Sequence, residues 1–223
     1  MIYEIKDTNK ISPLFGHWEE TLIWSCLQGI MGKIYANDLT APTAAMAVIG
    51  DFTFFAGEPC PELIAYRPPH CTQNFMIAVP QNKLWENMLT QFYGKKAKII
   101  SRYATKKEPP IFNKHHLEKI VASLPLSMID SHFYKLCKSE AWSKDLVSQF
   151  STYKKYRRLG IGVVISKDGL IISGASSYSR YQNGIEIEID TRKEYRRNGF
   201  ACICAAKLIL ECLKRNLYPS WDA

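Results

Sequence analysis

The stretch Ile185-Glu186-Ile187-Glu188-Ile189-Asp190 alternates apolar and acidic residues without a break, and Arg196-Arg197-Asn198-Gly199-Phe200-Ala201 follows it into an apolar run. Alternation with period two marks a strand with one buried face. It assigns Ile185, Ile187 and Ile189 to a core and Glu186, Glu188 and Asp190 to the opposite face. The run from about Cys202 to Arg215 is predicted to be a helix, so the order is strand, basic glycine-bearing turn, helix. Free backbone N–H groups at a helix start bind anions with the help of the helix dipole. Gly199 lets a phosphate come close to the backbone, and Arg196 and Arg197 add charge-assisted donors. Three carboxylates on one strand face repel one another, and either solvent or a cation drawn into a cleft relieves them.

Outward from this stretch, residues 161–166 and 170–177 flank Asp168-Gly169, a strong hairpin signal between β-prone runs. A second turn at Gln182-Asn183-Gly184 completes a three-stranded meander with the acidic strand. Upstream, residues 133–150 are helix-prone, 124–129 form a strand candidate and 114–123 are amphipathic. In the first half, the spacing of Leu22, Ile23, Cys26, Leu27 and Ile30 predicts a helix over residues 17–30, stopped by Gly29 and Gly32. Two strands follow, over residues 33–36 and 44–56, as an antiparallel pair joined through Asn37, Asp38 and Pro42. A strand over 75–79, a helix carrying Leu84, Met88, Leu89 and Phe92, and a strand over 97–103 complete this half. The run Lys106-Lys107-Glu108-Pro109-Pro110 is the best boundary, dividing the chain into halves 1–110 and 111–223.

Composition bounds the function. Of 223 residues, 47% are hydrophobic, which suffices for a packed core and excludes disorder throughout. No stretch reaches the ~20 apolar residues of a membrane span, and Glu4, Lys6, Asp7 and Lys10 leave no apolar core for a signal peptide. Cytoplasmic residence is therefore expected, with no membrane partner. Seven cysteines, an odd count lying mostly in apolar segments, are expected to be reduced. Cys60, His70 and Cys71 lack paired spacing and a fourth ligand, so no metal is expected. The net charge of +8 favours an anionic partner. The densest basic cluster, Lys154, Lys155, Arg157 and Arg158 with Tyr153 and Tyr156, is short and is read as a solvated helix end, not a nucleic-acid stripe.

The motif Arg196 to Ala201 resembles the Arg/Gln-x-x-Gly-x-Gly/Ala signature of the GNAT superfamily of acetyl-CoA-dependent N-acetyltransferases, in its place between strand and helix. Four further stretches tighten the resemblance: Gly160-Ile161-Gly162, Ser173-Gly174-Ala175-Ser176-Ser177-Tyr178, the acidic strand, and Leu217-Tyr218-Pro219-Ser220-Trp221-Asp222-Ala223. They are similar to the bacterial GNAT subgroup that includes the zwittermicin-resistance acetyltransferase. Gly29-Ile30-Met31-Gly32-Lys33-Ile34-Tyr35 and Gly50-Asp51-Phe52-Thr53-Phe54-Phe55-Ala56-Gly57 extend the likeness over most of the chain.

The resemblance implies an α/β (α+β) fold, a mixed, twisted sheet flanked by helices, with an N-terminal α/β half that shapes the substrate pocket. It implies acetyl-CoA as co-substrate, its diphosphate on the backbone amides of Arg196, Arg197, Asn198, Gly199, Phe200 and Ala201. Its pantetheine arm would pair with Ile189, Asp190 and Thr191 as an added strand. The acetyl group would pass by direct attack to the primary amine of a small molecule or peptide, with Glu186 or Glu188 as base. The segment from Ile189 to Arg196 is slightly longer than the common spacing, and a bulge there could turn either glutamate inward. Ser173 and Tyr178 are secondary candidates for hydrogen bonds to substrate. Family members continue past the Trp221-Asp222-Ala223 motif into a further helix and strands. The resemblance therefore implies that these elements are missing here and that residues 217–221 form an exposed edge. Two rival readings are a CoA- or acyl-CoA-binding protein without catalysis and, on charge alone, a nucleic-acid-binding protein.

Overall fold

The computed structural model describes residues 1–103, 105 and 112–222. The chain forms two compact units, Met1–Ser101 and Arg102–Ala223. The expected boundary at Lys106 to Pro110 lies outside the described residues.

The first unit runs β1 (Tyr3–Ile5), α1 (Ser12–Phe15), α2 (Thr21–Leu27), β2 (Lys33–Ala36), β3 (Ala44–Ile49), β4 (Phe52–Gly57), α3 (Pro61–Ala65), β5 (Ile77–Pro80) and α4 (Lys83–Tyr93). Its strands pair in sequence order, antiparallel except for the parallel pair of β4 and β5. The expected single strand over 44–56 is two strands. The backbone turns at Gly50-Asp51, where Gly50 adopts φ +56°, a conformation open to glycine. α2 is shorter than its apolar spacing predicts, because Glu20 caps it by accepting from the Leu22 N–H. At its other end Gly29 donates to Cys26 O and Ile30 to Ser25 O, closing the last turn. Asn82 caps α4, which buries Trp85 and Leu89 and leaves Leu84 and Phe92 exposed. The strand expected over 97–103 does not form, and Ile99, Ile100 and Tyr103 are exposed.

The second unit runs α5 (Lys114–Val121), β6 (Ser127–Met128), α6 (Ser131–Ser139), a 3-10 turn (Lys144–Leu146), α7 (Tyr153–Leu159), β7 (Gly162–Lys167), β8 (Leu170–Tyr181), β9 (Gly184–Thr191), a 3-10 turn (Lys193–Tyr195), α8 (Phe200–Lys214) and β10 (Tyr218–Ser220). The helix expected over 133–150 thus stops at Ser139. The sheet order is β10-β9-β8-β7-β6, with β10 parallel to β9 and the remaining pairs antiparallel. This is the mixed α/β arrangement, sheets flanked by helices, that the motifs imply.

Asp168 (φ +51°) and Gly169 (φ +78°) make the two-residue hairpin turn between β7 and β8. α8 lies on one sheet face and buries Cys204, Leu208 and Cys212 against Val163, Ile165, Ala175, Ile185 and Ile187. Each Leu, Ile or Val among them contributes about 1.5–3 kcal/mol through burial. The meander has two irregularities, one between β7 and β8 at Ile165/Ser166 and one between β8 and β9 at Tyr178, which stands between the pairs Ser177–Ile187 and Ser179–Glu186. β9 itself runs without a shift, so Glu186, Glu188 and Asp190 share the face away from α8.

Candidate active site

Glu186 lies deepest of the three carboxylates, at 6% exposure, and its Oε1 accepts the backbone N–H of Asp222 at 2.8 Å. In register it stands between Ser179 of β8 and Ser220 of β10. Both serines are fully buried, and their hydroxyls meet no hydrogen-bond partner among the described residues. Glu188 stands opposite Ser176, whose hydroxyl is bonded to the Tyr156 phenol at 2.9 Å. Burial, then the charges of Asp145 and Asp190, push the Glu188 carboxyl from 4.5 up to about 7, while Arg102 pulls weakly the other way. Burial also raises Asp190, against the Thr191 N–H, which donates to it at 2.7 Å, and Arg196, whose Nη2 is 3.7 Å away. A carboxylic acid with a pKa near neutrality is suited to exchanging protons with an amine at physiological pH.

A knot of side chains ties the end of β9 to the loop that carries Asp145. Arg192 is ion-paired with Glu140 and lies 5.6 Å from the centre of the Trp142 ring, and the Trp142 indole donates to Glu140 at 2.8 Å. Beyond this knot the chain turns into α8. Arg196 Nε donates to Thr191 O at 3.0 Å, and Asn198 Nδ2 donates to the carbonyls of Tyr195 and Arg196, each at 3.1 Å. Those side chains hold the loop's shape. Gly199, with φ +79°, precedes the first helical residue, and no side chain caps the helix. A Cβ added at Gly199 would point into open space, with no atom within 4 Å. The first-turn amides, which lack intrahelical acceptors, therefore sit beside exposed Arg196 and Arg197 with room for a ligand. This donor set fits a diphosphate.

On its outer side β9 is paired with β10 only over Gly184, Ile185 and Glu186. From Ile187 to Thr191 that edge carries no strand among the described residues, which leaves Ile189, Asp190 and Thr191 free to receive an extended chain. Of the two secondary candidates, Ser173 is fully buried on the α8 side, its hydroxyl 2.8 Å from the Thr191 hydroxyl. It does not share the face of Glu186 and Glu188. Tyr178, at the bulge, is 8% exposed. Sequence reasoning did not find Asp145, Arg102, Asp222, Ser179 or Ser220. All five come to the acidic strand through packing or pairing; no local motif marks Asp145, Arg102 or Ser179, and the 217–223 stretch that contains Ser220 and Asp222 gave them no role there.

The match to the family described as GNAT acetyltransferase extends over residues 12–223. The chain belongs to this family. Membership implies acetyl transfer, with acetyl-CoA as the co-substrate that the family uses. An uncharacterized N-acetyltransferase of Bacillus subtilis (strain 168), YdfB, is 26% identical over 217 residues, covering 91% of this chain and 79% of that protein. A GCN5-related N-acetyltransferase-like protein from Streptococcus suis 89/1591 is 44% identical, with a TM-score of 0.91 over 97% of this chain and 88% of that one. Among the described residues no helix is long and apolar enough to cross a membrane.

Proposed function

We propose that the chain transfers the acetyl group of acetyl-CoA to the primary amine of a small molecule or peptide by direct attack, with Glu188 as general base. The observation that carries this reading is the Glu188 carboxyl, raised to about 7 on the strand whose outer edge lies open and whose continuation leads into the uncapped α8 start. When bound, acetyl-CoA supplies the acetyl group as an activated thioester. The amides from Arg196 to Ala201, with the two arginines, hold its diphosphate, and Ile189 to Thr191 hold its arm. The acidic face of β9 draws in the cationic acceptor, and Glu188 takes a proton from its ammonium group. The neutral amine then attacks the acetyl carbonyl, the C–N bond forming as the C–S bond breaks; CoA leaves as its thiolate, and the proton shed by the attacking nitrogen neutralises it to the free thiol. Tyr178, at the bulge, is the secondary candidate for a hydrogen bond to the acceptor, whereas Ser173 faces α8 and is assigned a supporting role in the strand pair. Buried, protonated thiols at Cys26, Cys137 and Cys212, each raised by burial to about 12, are in keeping with a reducing, cytoplasmic setting.

The test is calorimetric titration of the purified chain with acetyl-CoA, followed by release of free thiol in the presence of a panel of primary amines. Binding that is lost in Gly199→Val, and thiol release that is lost in Glu188→Gln, are expected. A wild-type chain that does not bind acetyl-CoA would remove the reading.

A further inference from the structure

At the far end of α8 from the Gly199 turn, the second unit has a recess of about 140 Å³ lined by Arg157, Arg158, Gly160, Arg180, Arg215 and Leu217. Three elements distant in sequence bring the arginines together: Arg157 and Arg158 from the last turn of α7, Arg180 from the end of β8, and Arg215 from the C-cap of α8. Among the described residues no carboxylate lines the recess. Among the described residues Arg157, Arg158 and Arg215 make no ion pair. Glu211, on the last turns of α8, is already bonded to Lys207 and Lys214, each at 2.9 Å.

Arginine beside a helix C-terminus complements the negative end of the helix dipole, which accounts singly for Arg157, Arg158 and Arg215. It does not account for Arg180, which arrives from a strand. Arg180 is half-buried, and burial together with the charge of Arg215 presses its guanidinium below its ordinary range. Arg157, Arg158 and Arg215, without an ion pair among the described residues, repel one another around one concavity, and an anion seated there would relieve all three at once.

We propose that this recess is a second anion site, which takes the phosphate group of a small phosphorylated compound. Guanidinium groups suit phosphate because their planar forks match its oxygens. At about 140 Å³ the recess has room for one such group. The site is distinct from the α8 start, because the 15 residues of the helix, at about 1.5 Å each, separate the two by about 20 Å. The basic run of α7 is thereby more than a solvated helix end, since its second half forms one wall of the recess.

The experiment is calorimetric titration of the full chain with inorganic phosphate and with phosphoserine at low salt. Arg158→Ala and Arg215→Ala, both exposed positions, and Gly199→Val are titrated beside it. The expected result is a phosphate site that is at least about tenfold weaker in either arginine variant, the scale of losing one charge-assisted hydrogen bond, and unchanged in Gly199→Val, whatever binds at the α8 start. Acetyl-CoA binding should be retained in the arginine variants, so this site and the acetyl-CoA reading stand or fall separately. Absence of phosphate binding would overturn the proposal. So would a site lost in Gly199→Val but kept in Arg215→Ala, which would place the anion at the α8 start. Binding of a 20-base-pair DNA duplex that depends on Arg158 and outcompetes phosphate would also overturn it, in favour of a nucleic-acid surface.

Discussion

The backbone amide of Asp222 donates to Glu186 Oε1, whereas among the described residues no such tie from beyond β10 reaches Glu188 two residues further along the same strand face. Glu186 thus joins β9 to the segment after β10. Thr105 strengthens that segment by donating its N–H to Asp222 Oδ1 at 2.8 Å and its hydroxyl to Trp221 O at 2.6 Å. One glutamate anchors, and the other is left to titrate.

Replacing the two glutamates should therefore have unequal effects. Glu188→Gln should lower the turnover rate by roughly 10²–10⁴-fold, the usual contribution of a general base, with acetyl-CoA affinity kept. Glu186→Gln retains an oxygen for the Asp222 amide and should cost far less. Steady-state kinetics with any active amine would decide it, and equal losses would remove the distinction.

The raised carboxyl of Glu188 also makes stability depend on pH. Between the carboxyl's ordinary 4.5 and its folded value of about 7, the folded chain holds a proton that the unfolded chain has released. Raising pH through this window therefore favours unfolding, by at most about 3 kcal/mol, and the effect levels off above it. Glu188→Gln carries no such charge, so urea denaturation should find it more stable than wild type at pH 8 and nearly equal at pH 4.5. The same stability difference at both pH values would contradict the assignment. Turnover should rise with pH through about 7 as Glu188 loses its proton.

Arg197 holds φ +66°, which favours glycine. Arg197→Gly should relieve strain of about 1 kcal/mol and raise the melting temperature while weakening acetyl-CoA binding through the lost charge. A variant that binds as tightly as wild type would exclude Arg197 from the site.

Ser179 and Ser220 bury hydroxyls without partners on either side of Glu186. Removing an unsatisfied hydroxyl is neutral or stabilising, by up to about 1 kcal/mol. Chemical denaturation of Ser179→Ala and Ser220→Ala checks this, and a clear loss of stability in either would reveal an ordered water there.

What was legible in the sequence follows from the range of the forces involved. The Asp168-Gly169 turn, the alternation of β9 and the start of α8 are set by neighbours within a few residues, and the structure forms them where local chemistry puts them. The apolar run over 44–56 hid the Gly50-Asp51 turn because hydrophobicity continues on both sides of it. The bulge arises at Tyr178 and not after Ile189, because pairing between two strands fixes it and one strand's length does not. Asp145 was out of reach for a similar reason. It sits in the 3-10 turn Lys144–Leu146, within a segment whose composition suggested one continuous helix, and only packing brings its charge to bear on Glu188.

The edge of β9 from Ile187 to Thr191, unpaired among the described residues, has a consequence for association between copies of the chain. A strand edge without a partner invites the same edge of a second molecule. Any pairing that keeps the apolar faces of two such strands aligned also sets Glu188 and Asp190 of one molecule among the same carboxylates of the other, and like charges directly opposite are unfavourable. The acidic residues thus act as gatekeepers, keeping a strand that must stay open for a ligand from closing on itself.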